Sequence, residues 1–213
     1  MKDILQILGN TPVTTAAIAS LYPEISGANQ KVSALESNGD IIRLKRGLYV
    51  VSPDISGRRI STELVANHLY APSYVSRLSA LRLYGLIPER VATTQSMTVK
   101  HSRKFVNSIG IFEYTCTNRE YFSIGLRHME TEGSGFIIAS PEKALCDLVI
   151  TTSGVNLRYR EEARTYLEDN LRLDMDAFRT FDPSILKQCA QCGKKAVSIK
   201  TIIKLLEQTR WLN

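Results

Sequence analysis

Apolar residues recur at helical spacing through the first 35 positions and then switch to short strand-like blocks. Ile4, Leu5 and Leu8 share one face of a first helix over residues 2–8. Pro12 ends it, and Thr14 or Thr15 caps a second helix that turns Ala17, Ile18 and Leu21 inward and stops near Pro23. Ser26 is the expected N-cap of a third helix, in which Ala28, Val32 and Leu35 fall at i, i+4 and i+7. Asn38-Gly39 provides its left-handed stop. Residues 41–44 and 48–51 then predict two strands joined by a turn at Lys45-Arg46-Gly47, where glycine supplies the positive φ a short hairpin needs.

Helices followed by a hairpin is the order of a winged helix-turn-helix, whose second helix enters the DNA major groove. Asn29, Gln30, Lys31 and Ser33 lie off the buried stripe of that helix. Asparagine and glutamine pair with adenine in a bidentate way, and lysine with guanine or phosphate. Arg43, Lys45 and Arg46 on the wing would hold the backbone or the minor groove. Thr14 and Thr15, where the second helix starts, complete the expected DNA-binding set. The blander reading is a solvated polar face, which any surface helix shows opposite its buried stripe. Some winged helices bind protein instead.

Residues 52–60, SPDISGRRI, read as a linker or surface crossing. Ser61 or Thr62 caps a helix through Leu69. Pro72-Ser73 is expected to open another, YVSRLSALRLYGL, with Arg77 and Arg82 off its apolar side, more often a solvated face than a secondary basic surface that touches phosphate. From 91 to 140 the period changes. SMTVKH, FVNSIGIFEYTCT, EYFSIGLRHMET and GFIIAS predict a small mixed or antiparallel sheet. Ser140-Pro141-Glu142 starts a helix that buries Ala144, Leu145, Leu148 and Val149. After Gly154 the spacing is helical over 158–171, 174–181, 184–192 and 195–211. The expected fold is therefore α+β: a winged helix-turn-helix over 1–55, then a larger mixed α/β domain over 56–213, all-helical from about 155.

Charge adds little to this division. The 213 residues carry a net +6, but the first 52 hold five Lys/Arg against four Asp/Glu, and the rest 22 against 17. A basic surface is thus expected of the second domain as well. No run of about 18 apolar residues suggests a membrane span, and the N-terminus lacks a signal-peptide pattern. A cytoplasmic setting with reduced cysteines is expected.

Catalytic constellations are not evident. His68, His101 and His128 are isolated. Gly133-Ser134-Gly135 reads as a hairpin turn between Glu132 and Phe136, and Asp174-Met175-Asp176 is far from it. Glu142, Lys143 and Asp147 read as a charged helix face. Cys189 and Cys192 have metal-like spacing, but Cys116 and Cys146 would have to be brought to them to complete a zinc site. No phosphate-binding loop, HExxH or GxSxG is present. We therefore expect no enzyme, no cofactor and no metal.

Three stretches, the winged module ending in LKRGLYVVSP, the segment YAPSYVSRLSALRLYGLIPE and the joint GFIIASPEKALCDLV, resemble in this order the AbiEi-type antitoxins of bacterial abortive-infection (type IV toxin–antitoxin) systems. They are spread over residues 14–149, about two thirds of the chain. The resemblance implies an N-terminal winged helix that represses its own operon by binding inverted repeats in promoter DNA; the near-neutral charge of that module separately suggests a homodimer on the repeated site, or help from the basic second domain. It also implies a C-terminal antitoxin domain and a cognate nucleotidyltransferase-like toxin as functional partner. The family has no catalytic residues to carry over. The alternative function is a winged-helix protein-interaction module or a general transcriptional regulator without a toxin.

Overall fold

A computed structural model describes residues 3–24 and 27–211. The chain is mixed α+β, with a three-stranded and a six-stranded sheet among these residues. The N-terminal part opens with a single turn, α1 (Asp3–Gln6), whose Leu5 is fully buried. Lys2, the expected start of that helix, lies outside the described residues. A two-residue strand that the pattern did not predict follows, β1 (Val13–Thr14). In α2 (Thr15–Ala19) the Thr14 hydroxyl accepts the Ala17 N–H at 3.2 Å, the N-cap expected from sequence. Ser26 lies outside the described residues, and Gly27 holds the N-cap position of α3 (Ala28–Ser37). Val32 and Leu35 of α3 are buried, and the helix stops at Asn38 and at Gly39 with φ +73°.

The hairpin of β2 (Ile41–Lys45) and β3 (Leu48–Val51) turns at Arg46-Gly47, with Gly47 at φ +79°. Lys45 is therefore a strand residue, paired with Leu48, and a bulge lies between Arg43 and Lys45. Sheet order is β1-β3-β2. All four residues of β3 are buried because its two faces serve different cores. Tyr49 and Val51 join Leu5, Ile18, Tyr22, Val32, Leu35 and Ile41, whereas Leu48 and Val50, with Leu44 of β2, join the large cluster of the remaining chain.

The expected linker is structured: α4 (Pro53–Ser56) buries Ile55 and closes on Gly57 at φ +64°. Then come α5 (Thr62–Leu69), capped by Ser61, and β4 (Ser73–Val75). Here the sequence reading is corrected, because residues 73–75 do not open a helix. They form a fully buried strand that pairs antiparallel with β5 (Thr93–Thr98) and parallel with β9 (Ser134–Ala139). A central strand buried on both faces shows no period of two and resembles a helix segment in sequence. The helix begins later, as α6 (Arg77–Leu83).

Between β5 and β9 lie β6 (Arg103–Val106), β7 (Ile111–Cys116), α7 (Arg119–Phe122) and β8 (Leu126–Thr131), so EYF of the third β-rich run is helical. The six strands order as β6-β7-β5-β4-β9-β8, parallel at β7/β5 and β4/β9 and antiparallel elsewhere, a mixed sheet. The β8–β9 turn is Glu132-Gly133, both at positive φ, so Ser134 and Gly135 belong to the strand.

Ser140 caps α8 (Pro141–Thr151) as expected, but the charged face of that helix is not solvated. Glu142, Lys143 and Asp147 are buried together with Ala144, Leu145, Leu148 and Val149. The C-terminal helices are α9 (Arg160–Thr165) with a π-helical turn at Tyr166–Asn170, α10 (Met175–Arg179), α11 (Pro183–Cys192) and α12 (Ala196–Trp211). Their bounds follow the expected helical segments closely. The cover of α8 comes from α6, α11 and α12. No helix among the described residues is long and apolar enough to cross a membrane.

Candidate nucleic-acid interface

Burial of Val32 and Leu35 against the smaller core fixes which way α3 faces. Asn29, Gln30 and Ser33 are left exposed, and the hairpin packs alongside. Between helix and hairpin runs an open groove of about 400 Å³, floored by Val32 and Tyr49. Its walls bring together Thr15, Asn29, Ser33, Arg43, Arg46 and Gly47. Thr15 and the turn are held in register by the Thr15 N–H, which donates to the Gly47 carbonyl at 3.2 Å. The Ser33 hydroxyl donates to the Asn29 carbonyl at 3.1 Å.

The two arginines differ in readiness. Arg43 donates to the Glu36 carboxylate at 2.5 Å and lies 5.8 Å from the Tyr49 ring centroid. The Glu36 hydrogen bond pushes its guanidinium further up from an already high value, so it stays charged. Arg46, exposed at the turn, lines the groove with no carboxylate beside it on the groove wall.

Not every expected residue converges here. Thr14 is exposed and its hydroxyl is engaged as the α2 cap. Gln30 folds back so that its Oε1 would lie 2.8 Å from a Cβ added at Gly27. Lys31 sits over the Tyr22 ring, 5.0 Å from its centroid. Lys45 does not line the groove: its ammonium donates to the Leu69 carbonyl at 2.5 Å, toward the larger core. Burial, followed by the nearby Lys100 and Arg103, holds its pKa below the ordinary lysine value.

The secondary basic surface is also corrected. Arg77 is mostly enclosed, with Nη1 at 3.0 Å from Glu113 and 3.3 Å from the Thr115 hydroxyl on β7. Arg82 is exposed on α6 but stands apart from the groove. The basic residues that do lie beside the hairpin are Lys100 and Arg103, which the sequence reading missed. The run KHSRK at 100–104 was the available signal.

The remaining candidates resolve into local partners. The Cys146 thiol, pushed up by burial and by its hydrogen bond to Cys189, contacts α11 from within the large core. Cys192 instead reaches Glu120 Oε1 at 3.3 Å, so the two thiols of the Cys-x-x-Cys pair have different neighbours. His68 Nδ1 lies 3.0 Å from the Leu64 carbonyl, and His128 stands against Gly135. Among the described residues no group of three or more His, Cys, Asp or Glu side chains is arranged to hold a metal ion. Compared with models of known protein families and with curated proteins, the chain matches none.

Proposed function

We propose that residues 1–55 act as a winged helix-turn-helix that reads duplex DNA. On this reading the whole chain serves as an AbiEi-type autorepressor and antitoxin in the cytoplasm, without chemistry of its own. Its partners would be promoter DNA with inverted repeats and a nucleotidyltransferase-like toxin. The observation that carries the reading is the groove in which Asn29 and Ser33 of α3 meet Arg43 and Arg46 of the hairpin. An amide and a hydroxyl on a helix suit base edges, and flanking guanidiniums suit phosphates. Arg46 contributes more than Arg43, because Arg43 must exchange an existing ion pair with Glu36 before it reaches a phosphate.

The test is a fluorescence-anisotropy salt series with duplexes from upstream of the operon that encodes the chain. Arg46→Ala should weaken binding to every sequence and lower the salt slope by about 1. Asn29→Ala should cost about 1–3 kcal/mol at a site whose adenine it reads and little elsewhere. Both variants should still rescue growth when the toxin is co-expressed, since the antitoxin function is assigned to residues 56–213. If both bind the upstream duplex like wild type, the DNA interface lies elsewhere.

A further inference from the structure

Beside the α3 groove, and sharing Arg46 with it, a second cleft of about 530 Å³ opens between the hairpin and the larger sheet. Lys45 and Arg46 form one wall; Lys100 and Arg103 form the other. Tyr70, Phe105 and His68 also line the cleft. Among the described residues none that lines the cleft is acidic.

Three of the four cations have a defined neighbour. The Lys45 ammonium is tied to the Leu69 carbonyl. Lys100 lies 5.2 Å from the Tyr70 ring centroid, and Arg103 lies 5.9 Å from Tyr70 and 4.8 Å from Phe105. Those rings are themselves fixed, because Tyr70, Phe105 and Tyr114 pack mutually with centroids 5.2–5.7 Å apart. The Tyr114 hydroxyl is anchored by donating to the Ala66 carbonyl at 2.7 Å. Like charges gathered in one cleft raise each other's energy; the pKa of the Lys45 ammonium is held below its ordinary value first by burial and then by Lys100 and Arg103. A bound anion would relieve the repulsion.

We propose that this cleft is a phosphate-binding site, taking two linked phosphate groups that bridge the hairpin wall and the sheet wall. Cations on opposite walls favour an anion with two charged centres over a single carboxylate, and guanidinium and ammonium donors match phosphate oxygens. Two sources share this chemistry: the sugar-phosphate backbone of DNA lying across α3, or a free oligophosphate such as a nucleoside diphosphate. The site does not depend on α3 reading DNA.

The experiment uses the full chain and inorganic pyrophosphate in isothermal titration calorimetry at low salt. Wild type should bind one equivalent saturably. Lys100→Gln/Arg103→Gln should bind roughly tenfold more weakly or not at all, and Asn29→Ala should bind as wild type does. The charge-preserving exchange Lys100→Arg/Arg103→Lys should keep the site, and unchanged melting of the glutamine variant shows that it folds. Absence of saturable binding by wild type, or equal affinity in wild type and the glutamine variant, overturns the proposal.

Duplexes identify the source. With DNA as the source, the glutamine variant loses affinity for a duplex extended by half a turn but not for the minimal one, and its salt slope falls by up to about 2. With a free oligophosphate as the source, it binds both duplexes like wild type. If pyrophosphate binds as described while the Arg46 and Asn29 variants bind DNA normally, the site stands and the operator-reading interface falls.

Discussion

Lys143 is the residue whose surroundings depart furthest from its type. Its side chain is fully buried, its ammonium lies 3.1 Å from Asp147 Oδ1, and it donates to the Tyr121 carbonyl at 2.9 Å. It also sits 3.0 Å from the Tyr121 ring centroid. Asp147 is held from its other side by the Ser76 hydroxyl, which donates at 2.6 Å. Each charge thus has a partner and a hydrogen bond, the condition under which a buried pair is tolerable. Removing one partner leaves the other charged and buried. Lys143→Met should therefore lower the unfolding free energy by about 3–5 kcal/mol, while Lys143→Met/Asp147→Leu should recover most of the loss. Urea denaturation of the three proteins decides this; a double variant weaker than the single would mean that the pair itself is strongly stabilising. In sequence an i, i+4 Lys–Asp pair reads as a solvated face. Nothing local signals that α6, α7 and α11 will cover it.

Elements written by short-range chemistry were legible, and elements defined by their neighbours were not. The caps at Thr14, Ser61 and Ser140, the hairpin glycine at 47 and the C-terminal helices all follow from residues within a turn of one another. β4 was missed because a three-residue strand buried on both faces carries no alternation, and α7 because a four-residue helix is too short to show its period. The candidate groove was legible for the same local reason: α3 and the hairpin are adjacent in sequence. The cationic cleft was not, since Lys45 and Lys100 meet only through tertiary packing. The cap of α9 provides a test at this scale. Glu162 Oε2 accepts the N–H groups of Arg158 at 2.7 Å and Tyr159 at 3.2 Å, which holds its carboxyl below the usual glutamate value. A depressed folded-state pKa adds stability above the unfolded value of about 4.3, and that stability is lost as pH falls through the folded value. Wild type should thus melt above Glu162→Gln at neutral pH, and the two curves should converge as the pH drops below about 4. A gap that persists in acid would assign the difference to shape and not to charge.

On the scale of the whole molecule, the hairpin belongs to both cores, and this bears on how the DNA-reading and antitoxin assignments divide the chain. A boundary near residue 55 separates the clusters in sequence, yet alternate residues of β2 and β3 face opposite ways. Ile41, Tyr49 and Val51 enter the small cluster, and Leu44, Leu48 and Val50 the large one. Polar bonds reinforce the seam. Asn107 donates to the Leu44 carbonyl at 3.0 Å, and the buried Asn10 amide donates to the Arg59 carbonyl and the Ser134 hydroxyl, both at 2.7 Å. Cutting the chain at residue 58 would expose the face that Leu44, Leu48 and Val50 cover, so such a fragment should bind a hydrophobic dye and melt early. The intact chain should unfold in a single transition, because neither core is complete without the hairpin. Ile41→Ala in the small cluster and Leu44→Ala in the large one should each cost about 2–5 kcal/mol and move that same transition. Circular dichroism melts of the two variants are sufficient. If Ile41→Ala splits the melt in two while Leu44→Ala shifts only the later step, the cores unfold independently and the hairpin is a linker, not a seam.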